Sequence, residues 1–273
     1  MHLLATYFKI IGLRFLGATQ YKADFFIGIS GLLIQQMVVV LVVVSIFSGV
    51  DELAGFGLFD VLFILGLAQL VRGLDLAYND YIWVEAFGGF AQGSLYHYSI
   101  RPLPIYLQIL SNRLNIQSLG PIGIGITLLC FSIPELPTVF TAADYALLVY
   151  FTTCGLLTMF AIKLIAASLA LWFGRSGELM QVLHEFVEFI RYPMSIYALP
   201  LQLLLTFILP FGLISFVPAL YWLPEVGWPL LDAFAVERSI LLISYAGGYS
   251  LFFFCVSLCL WHFGLRHACV SGT

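Results

Sequence analysis

The sequence predicts an all-α integral membrane protein with six transmembrane helices, an N-terminal interfacial helix and cytoplasmic amphipathic helices, all within one domain of residues 1–273. Hydrophobic residues make up 62% of the chain and charged residues only 10%. Soluble domains carry about 25% charged residues, so this chain has too little charge to cover a surface in water. The mean hydropathy of +1.02 also argues against an outer-membrane barrel, whose strands alternate apolar and polar residues.

Six segments are long and apolar enough to cross a bilayer, which requires about 20 mostly apolar residues per helix. Because only helices and closed barrels satisfy their backbone groups in lipid, we expect all six segments to be helical. In chain order, the segments are residues 25–47, 58–78, 114–133, 145–173, 198–222 and 239–263. The fifth contains Pro200, Pro210 and Pro218, which are compatible with either a full crossing or a partly re-entrant one.

The charges of the connecting segments predict that both termini face the cytoplasm, where Lys and Arg are enriched in membrane proteins. With the N-terminus inside, eight of the 11 basic residues lie in inner segments, and the outer loops are almost purely acidic. The inner basic residues are Lys9, Arg14, Lys22, Arg101, Arg113, Arg175, Arg191 and Arg266. The outer acidic residues are Asp51, Glu52, Glu135, Asp144, Glu225, Asp232 and Glu237.

Besides the six spans, two of the inner segments have sequence patterns that predict helices. Residues 1–24 mix apolar positions with scattered basic residues, which predicts a helix lying in the membrane interface. Residues 176–197 place apolar residues at spacings of three and four, as in an amphipathic helix. We expect Arg191 to end that helix and Pro193 to stop it.

The inner segment 84–113 is unusually large and contains two Gly-rich turns, followed by the step Arg101-Pro102-Leu103-Pro104. The two prolines fix backbone angles, so this step is predicted to form a rigid corner. The apolar-periodic stretch IYLQILSNRL follows and predicts a short helix. Such a corner with a short helix is suited to docking against a soluble partner, although a plain amphipathic connector has the same pattern.

Sequence motifs for chemistry on this chain are absent. There is no GxxxxGK[ST] loop to hold phosphates, no GxSxG nucleophile turn and no HExxH metal pair. Consequently, no catalytic residue, cofactor or metal site is predicted, and the chain is not expected to hydrolyse ATP by itself. The net charge of −4 favours no nucleic-acid partner.

The cysteines are predicted to pack as small hydrophobic residues. Four of the five, Cys130, Cys154, Cys255 and Cys259, lie in apolar runs, where burial is more common than a disulfide framework. Cys255 and Cys259 have the spacing of metal ligands on one helix face. However, no His or carboxylate accompanies them within the span.

Charged residues inside the spans are candidate functional residues because charge in a bilayer is costly and faces a bundle interior or cavity. Arg72 and Asp75 are three residues apart in the second span, so they can pair along one helix face. Lys163, in the fourth span, is the deepest charge. It either lines a cargo pathway or belongs to a buried ion pair, unless it snorkels to the interface.

Three patches of the sequence resemble ABC-2 type permeases, the membrane subunits of exporters that work with a separate ATPase. The first comprises Gly93-Ser94-Leu95-Tyr96 and Ser99–Pro104, and it is similar to a bacterial subfamily motif, "G-E-L-D…L-L-R-P-L-x-P". The other two patches are Trp172–Ser176 with Glu188–Tyr197, including RYPxSIY, and Leu205–Gly212. One departure is that Ser94 and Tyr96 stand where the subfamily has acidic residues.

The resemblance implies a type V exporter-like fold in the bacterial cytoplasmic membrane. It implies two permease chains, identical or homologous, in contact with lipid and with ATPase subunits that bind ATP and Mg²⁺. It also implies coupling to the ATPase through Gly93, Arg101, Pro102, Leu103 and Pro104. The resemblance places a second cytoplasmic signature at Glu188, Arg191, Tyr192 and Pro193.

Two other classes of function remain open from the sequence. An ATP-independent carrier would more naturally show repeats and paired broken helices, and only the third and fifth spans contain helix breakers. A lipid-modifying enzyme would need clustered acid–base groups at one membrane face. His184, Glu185 and Glu188 are the best candidates, since His184 and Glu188 share a helix face.

Overall fold

The computed structural model describes residues 22–101, 103–112, 115, 118–173, 177–224, 226, 228 and 237–271. Over this part of the chain the regular structure is helical, apart from one isolated β-bridge between Leu53 and Phe56. The α-helices are α1 (Lys22–Phe47), α2 (Leu58–Tyr78), α3 (Tyr81–Val84), α4 (Ser94–Ser99), α5 (Ile105–Asn112), α6 (Leu119–Ser132), α7 (Ala142–Phe173), α8 (Gly177–Val187), α9 (Leu199–Leu203), α10 (Phe216–Ala219) and α11 (Arg238–Ser271). The predicted all-α class is therefore confirmed.

Short π and 3-10 turns extend several of these helices. The π turns are Glu85–Gly89 and Leu204–Ile208. The 3-10 turns are Phe90–Gln92, Ile133–Glu135, Glu188–Arg191, Met194–Ile196 and Phe211–Leu213. Most of the predicted interfacial segment, residues 1–24, lies outside the described residues, because the description begins with α1 at Lys22.

Four helices in the described part of the chain, α1, α2, α7 and α11, are long and apolar enough to cross a membrane. They correspond to the first, second, fourth and sixth predicted spans. In the third and fifth predicted spans the apolar helices are shorter, at Leu119–Glu135 and Leu199–Ile208. These two segments therefore lack the continuous length that the sequence predicts for them.

The fifth segment is interrupted at Pro210, and two tyrosines of α11 satisfy the backbone around the interruption. The carbonyl of Thr206 would normally accept from the N–H four residues later, which Pro210 lacks. Instead, the Tyr245 hydroxyl donates to that carbonyl at 2.8 Å. The Tyr249 hydroxyl donates to the next carbonyl, that of Phe207. Since unpaired backbone groups are costly in lipid, α11 stabilises this interruption.

Glycines allow α2 and α6 to pack backbone against backbone. A Cβ on Gly125 would lie 2.6 Å from the backbone nitrogen of Leu70, and a Cβ on Gly73 would lie 2.7 Å from that of Ile122. Small residues are common where membrane helices approach this closely. Gly125, in the third predicted span, therefore serves helix packing.

An aromatic cluster fills the core near the start of α7. The Trp222 ring contacts the rings of Phe63, Phe140 and Phe151, with centroids 5.4–5.6 Å apart. The Trp222 indole N–H donates to Asp144 at 3.1 Å, which supplies the polar partner that a buried indole requires. The loop after α10 is thereby joined to the first turn of α7.

The prediction that the cysteines are buried is correct for Cys154 and wrong for Cys130, Cys255 and Cys259, which are exposed. In water, an apolar helix must bury its face against protein, but a lipid-facing helix has no such requirement. The helix α11, which carries Cys255 and Cys259, packs mainly along α7, and only a small share of its residues are buried. Apolar sequence context therefore does not indicate burial within this chain.

Candidate functional site

A buried ion pair joins α2 to α7 near the end of the bundle that is predicted to face the cytoplasm. The Lys163 ammonium lies 2.6 Å from a carboxylate oxygen of Asp75 and 3.5 Å from one of Asp80. The Lys163 and Asp75 side chains are only 9% and 1% exposed. The Lys163 nitrogen also lies 6.0 Å from the ring centroid of Trp83, within cation–π range.

Hydrogen bonds extend this ion pair to the segment of residues 84–113. The Asn79 side-chain amide donates to Asp75 at 2.9 Å, and the Tyr106 hydroxyl donates to the Asn79 side-chain oxygen at 3.3 Å. Tyr106 lies on α5, so α5, α2 and α7 share one polar cluster. We call Lys163, Asp75, Asp80, Asn79 and Tyr106 the lysine network.

Lys163 thus lies in a buried ion pair, one of the three environments that the sequence left open. The expected pairing of Arg72 with Asp75 along one face of α2 is not observed. Asp75 is almost completely buried and pairs with Lys163, whereas Arg72 pairs with Glu188. Arg72 and Asp75 each have a close partner on another segment. They therefore do not pair with each other, although they are three residues apart on α2.

A second cluster ties α2 to the segment after α8. The Arg72 guanidinium lies 2.8 Å from Oε1 of Glu188, and Arg191 contacts both oxygens of the same carboxylate at 2.7 and 3.1 Å. Burial, together with the nearby charge of Arg72, lowers the pKa of Arg191 from its ordinary value. Arg nevertheless stays protonated at physiological pH, so Glu188 is held between two cations. We call Arg72, Glu188 and Arg191 the glutamate bridge.

The remaining signature residues shape the backbone beside the glutamate bridge. Pro193 is buried, and its carbonyl accepts from the backbone N–H of Ile196 at 3.3 Å, at a 3-10 turn. Tyr192 is half-buried and packs against the main hydrophobic core. The Ser215 hydroxyl donates to the carbonyl of Ile190 at 2.5 Å, which ties this segment to the chain before α10.

The coupling residues predicted from the resemblance lie on the loop between α2 and α6. Gly93 has a φ of +83° and precedes α4, a conformation that residues with side chains rarely adopt. Arg101 and Pro104 are exposed, Leu103 is half-buried, and Pro102 lies outside the described residues. The buried Gln108 amide donates to the carbonyl of Leu103 at 2.6 Å. It also donates to that of Tyr98 at 2.9 Å.

Through Gln108, the corner is fixed to α5, and α5 is joined to α2 and α7 through Tyr106. The loop and the spans are therefore one connected structure. Sequence reasoning missed four residues of this arrangement: Asn79, Asp80, Tyr106 and Gln108. Asn79 and Asp80 come immediately after the second span, but Tyr106 and Gln108 carry no periodic signal, because their partners are set by the folding of the loop.

The residues proposed for lipid chemistry do not converge on one site. The ring of His184 lies against Trp83, with centroids 5.6 Å apart. Glu185 is exposed and accepts from Gln181 at 2.8 Å. Glu188 is engaged by two arginines in the glutamate bridge, so it is not available as a base for His184.

One family of known proteins matches this chain. The family described as "ABC-2 family transporter protein" matches residues 33–272, which is most of the chain. In the other comparisons, no curated protein and no solved structure matched this chain. The matched range includes both the lysine network and the glutamate bridge.

Proposed function

The chain belongs to the ABC-2 transporter family, and from that premise we propose that it is the permease subunit of an ATP-driven exporter. A separate ATPase subunit would bind ATP and Mg²⁺ and hydrolyse the ATP, and this chain would carry the cargo across the cytoplasmic membrane. A second permease chain, identical or homologous, would complete the pathway. The family match and the helical fold support the transport class, and the sequence contains no phosphate-binding loop of its own.

One structural observation carries the coupling part of the proposal. The lysine network connects α5, next to the Arg101–Pro104 corner, to both α2 and α7. A push on the corner would pass through Gln108 and Tyr106 to Asn79 and Asp75. Because these contacts are short and mostly buried, the displacement would reach the spans instead of being absorbed by the loop.

The glutamate bridge supplies a second connection. Arg72 lies on α2, one turn before Asp75, and Glu188 and Arg191 belong to the segment after α8. Two inner segments are therefore attached to one span, the first through hydrogen bonds and the second through an ion pair. We infer that α2 is the element through which movement of the ATPase reaches the cargo pathway.

The experiment that tests the function is purification of the tagged chain from its native membrane in mild detergent, with mass spectrometry of the proteins that accompany it. We expect a stoichiometric ATPase subunit with a phosphate-binding loop, and either one or two permease chains. An unrelated membrane protein of similar abundance serves as the control for carry-over. Recovery of the chain alone, in a folded monodisperse form, would contradict the proposal.

A further inference from the structure

A polar cavity of about 520 Å³ lies in the loop between α2 and α5. It is lined on its polar side by Glu85, Gln92, Ser94 and His97, and on its apolar side by Val84 and Phe87. None of these residues belongs to the lysine network or the glutamate bridge. The cavity is therefore a separate feature of the segment that the resemblance assigns to ATPase coupling.

Glu85 brings a buried carboxylate to this cavity. The residue is only 4% exposed. One carboxylate oxygen accepts from the Tyr98 hydroxyl at 2.8 Å, and the other accepts from the Ser94 hydroxyl. Among the described residues, no basic group forms an ion pair with it. Hydroxyl donors alone do not neutralise a carboxylate, so Glu85 places an acidic group at the cavity wall without a salt-bridge partner among the described residues.

The rim of the cavity is apolar and open. Val84 and Phe87 are 53% and 54% exposed although they lie between the spans rather than within them. A long basic side chain has an aliphatic stem and a charged head, which match an apolar rim above a buried carboxylate. The cavity is large enough to admit one such side chain together with water.

We propose that this cavity receives a Lys or Arg side chain of the ATPase subunit, which pairs with Glu85; this inference rests on the function proposed above. The charge complementarity identifies the chemistry of the occupant. Positions 94 and 96 are neutral in this chain, and Ser94 instead holds Glu85 in place. The loop thus presents an acidic side chain from inside a cavity.

The test is the dissociation constant between the purified permease and the ATPase subunit that accompanies it, measured at low and high salt. In Glu85→Gln, we expect binding to weaken about 10- to 100-fold at both salt concentrations, because a charge pair is lost that is buried and therefore screened less than an exposed one. The control is Glu135→Gln, which removes an exposed carboxylate near the opposite end of the bundle, and we expect it to bind like the wild type.

A second variant keeps the test decisive if Glu85→Gln folds poorly. In Gln92→Arg, the chain supplies its own cation to the cavity, and we expect the same loss of ATPase binding with unchanged size-exclusion behaviour. Gln92→Ala should bind normally. Wild-type affinity in Glu85→Gln or Gln92→Arg would overturn this inference and leave the exporter function standing. Failure of the wild-type chain to bind any ATPase would overturn both.

Discussion

Lys163 of α7 and Asp75 of α2 form an ion pair with nitrogen and oxygen 2.6 Å apart, almost completely shielded by protein. Neither charge has access to water for its stabilisation, so each depends on the other and on the polar groups around them. Such a pair is costly to break, since removing one partner leaves a buried charge without compensation. The pair also marks the point where the large inner loop meets the spans.

Replacing the buried lysine should therefore damage folding first. We expect Lys163→Met to lose about 3–5 kcal/mol of stability and most of the protein yield, because Asp75 remains buried without a cation. Fluorescence-detected size exclusion after heating measures this loss. The double variant Lys163→Met with Asp75→Asn removes both charges and should recover part of the stability. If the single variant folded normally and only transport failed, the lysine would belong to the cargo pathway instead.

The close packing of α2 and α6 makes an equally direct prediction. Gly125→Ala should destabilise the protein by about 1–3 kcal/mol, because its Cβ would overlap the backbone of Leu70. Gly123→Ala, two positions earlier on the same helix, is the matched control, since a Cβ there meets nothing within 4 Å. The midpoint of thermal unfolding in detergent should fall for the first variant alone. Equal midpoints would mean that the helices do not pack through Gly125.

The glutamate bridge should contribute to stability in proportion to its partial burial. We expect Glu188→Gln to cost about 1–3 kcal/mol, between the values typical of exposed and buried ion pairs. The cost arises because Arg191 loses its carboxylate partner while remaining buried. Glu185→Gln, on the exposed face of α8, is the matched control. A thermal midpoint for Glu188→Gln that equals the control would show that the bridge contributes nothing.

The interruption of the fifth segment should depend on α11. Tyr245→Phe removes the donor to the carbonyl of Thr206, and we expect a loss of about 1–3 kcal/mol. Tyr145→Phe, on an exposed residue of α7, is the control. Thermal unfolding and protease accessibility of residues 204–213 provide the measurement. Protection unchanged from the wild type would contradict a stabilising role for Tyr245.

The corner between α4 and α5 should matter for coupling and not for insertion. We expect Arg101→Ala combined with Pro102→Ala to abolish cargo-stimulated ATP hydrolysis in the reconstituted complex while membrane insertion stays intact. ATPase turnover with and without cargo in proteoliposomes is the measurement, and the permease content of the vesicles is the control for insertion. Fully coupled turnover in this variant would refute the assignment of the coupling loop.

The candidate site was only partly predictable from sequence. Gly93 and Glu188 stood out because they lie in patches that resemble family motifs, and Lys163 stood out because it is a charge inside a predicted span. Glu85, Gln108 and Tyr106 did not stand out, since they are ordinary residues whose roles come from partners reached by the folding of the loop. The third and fifth spans were predicted from hydropathy, which does not report where a helix is shortened or interrupted.

The sequence by itself determined the membrane class, the four long spans and the family resemblance, because hydropathy over about 20 residues and short motifs are local properties. Only the tertiary structure decided which charges pair. Arg72 meets Glu188 across 116 positions, and Asp75 pairs with Lys163 instead of with its neighbour on α2. A buried charge is compensated by whichever opposite charge the packed helices bring close to it. The periodicity of the sequence does not indicate which residue that is.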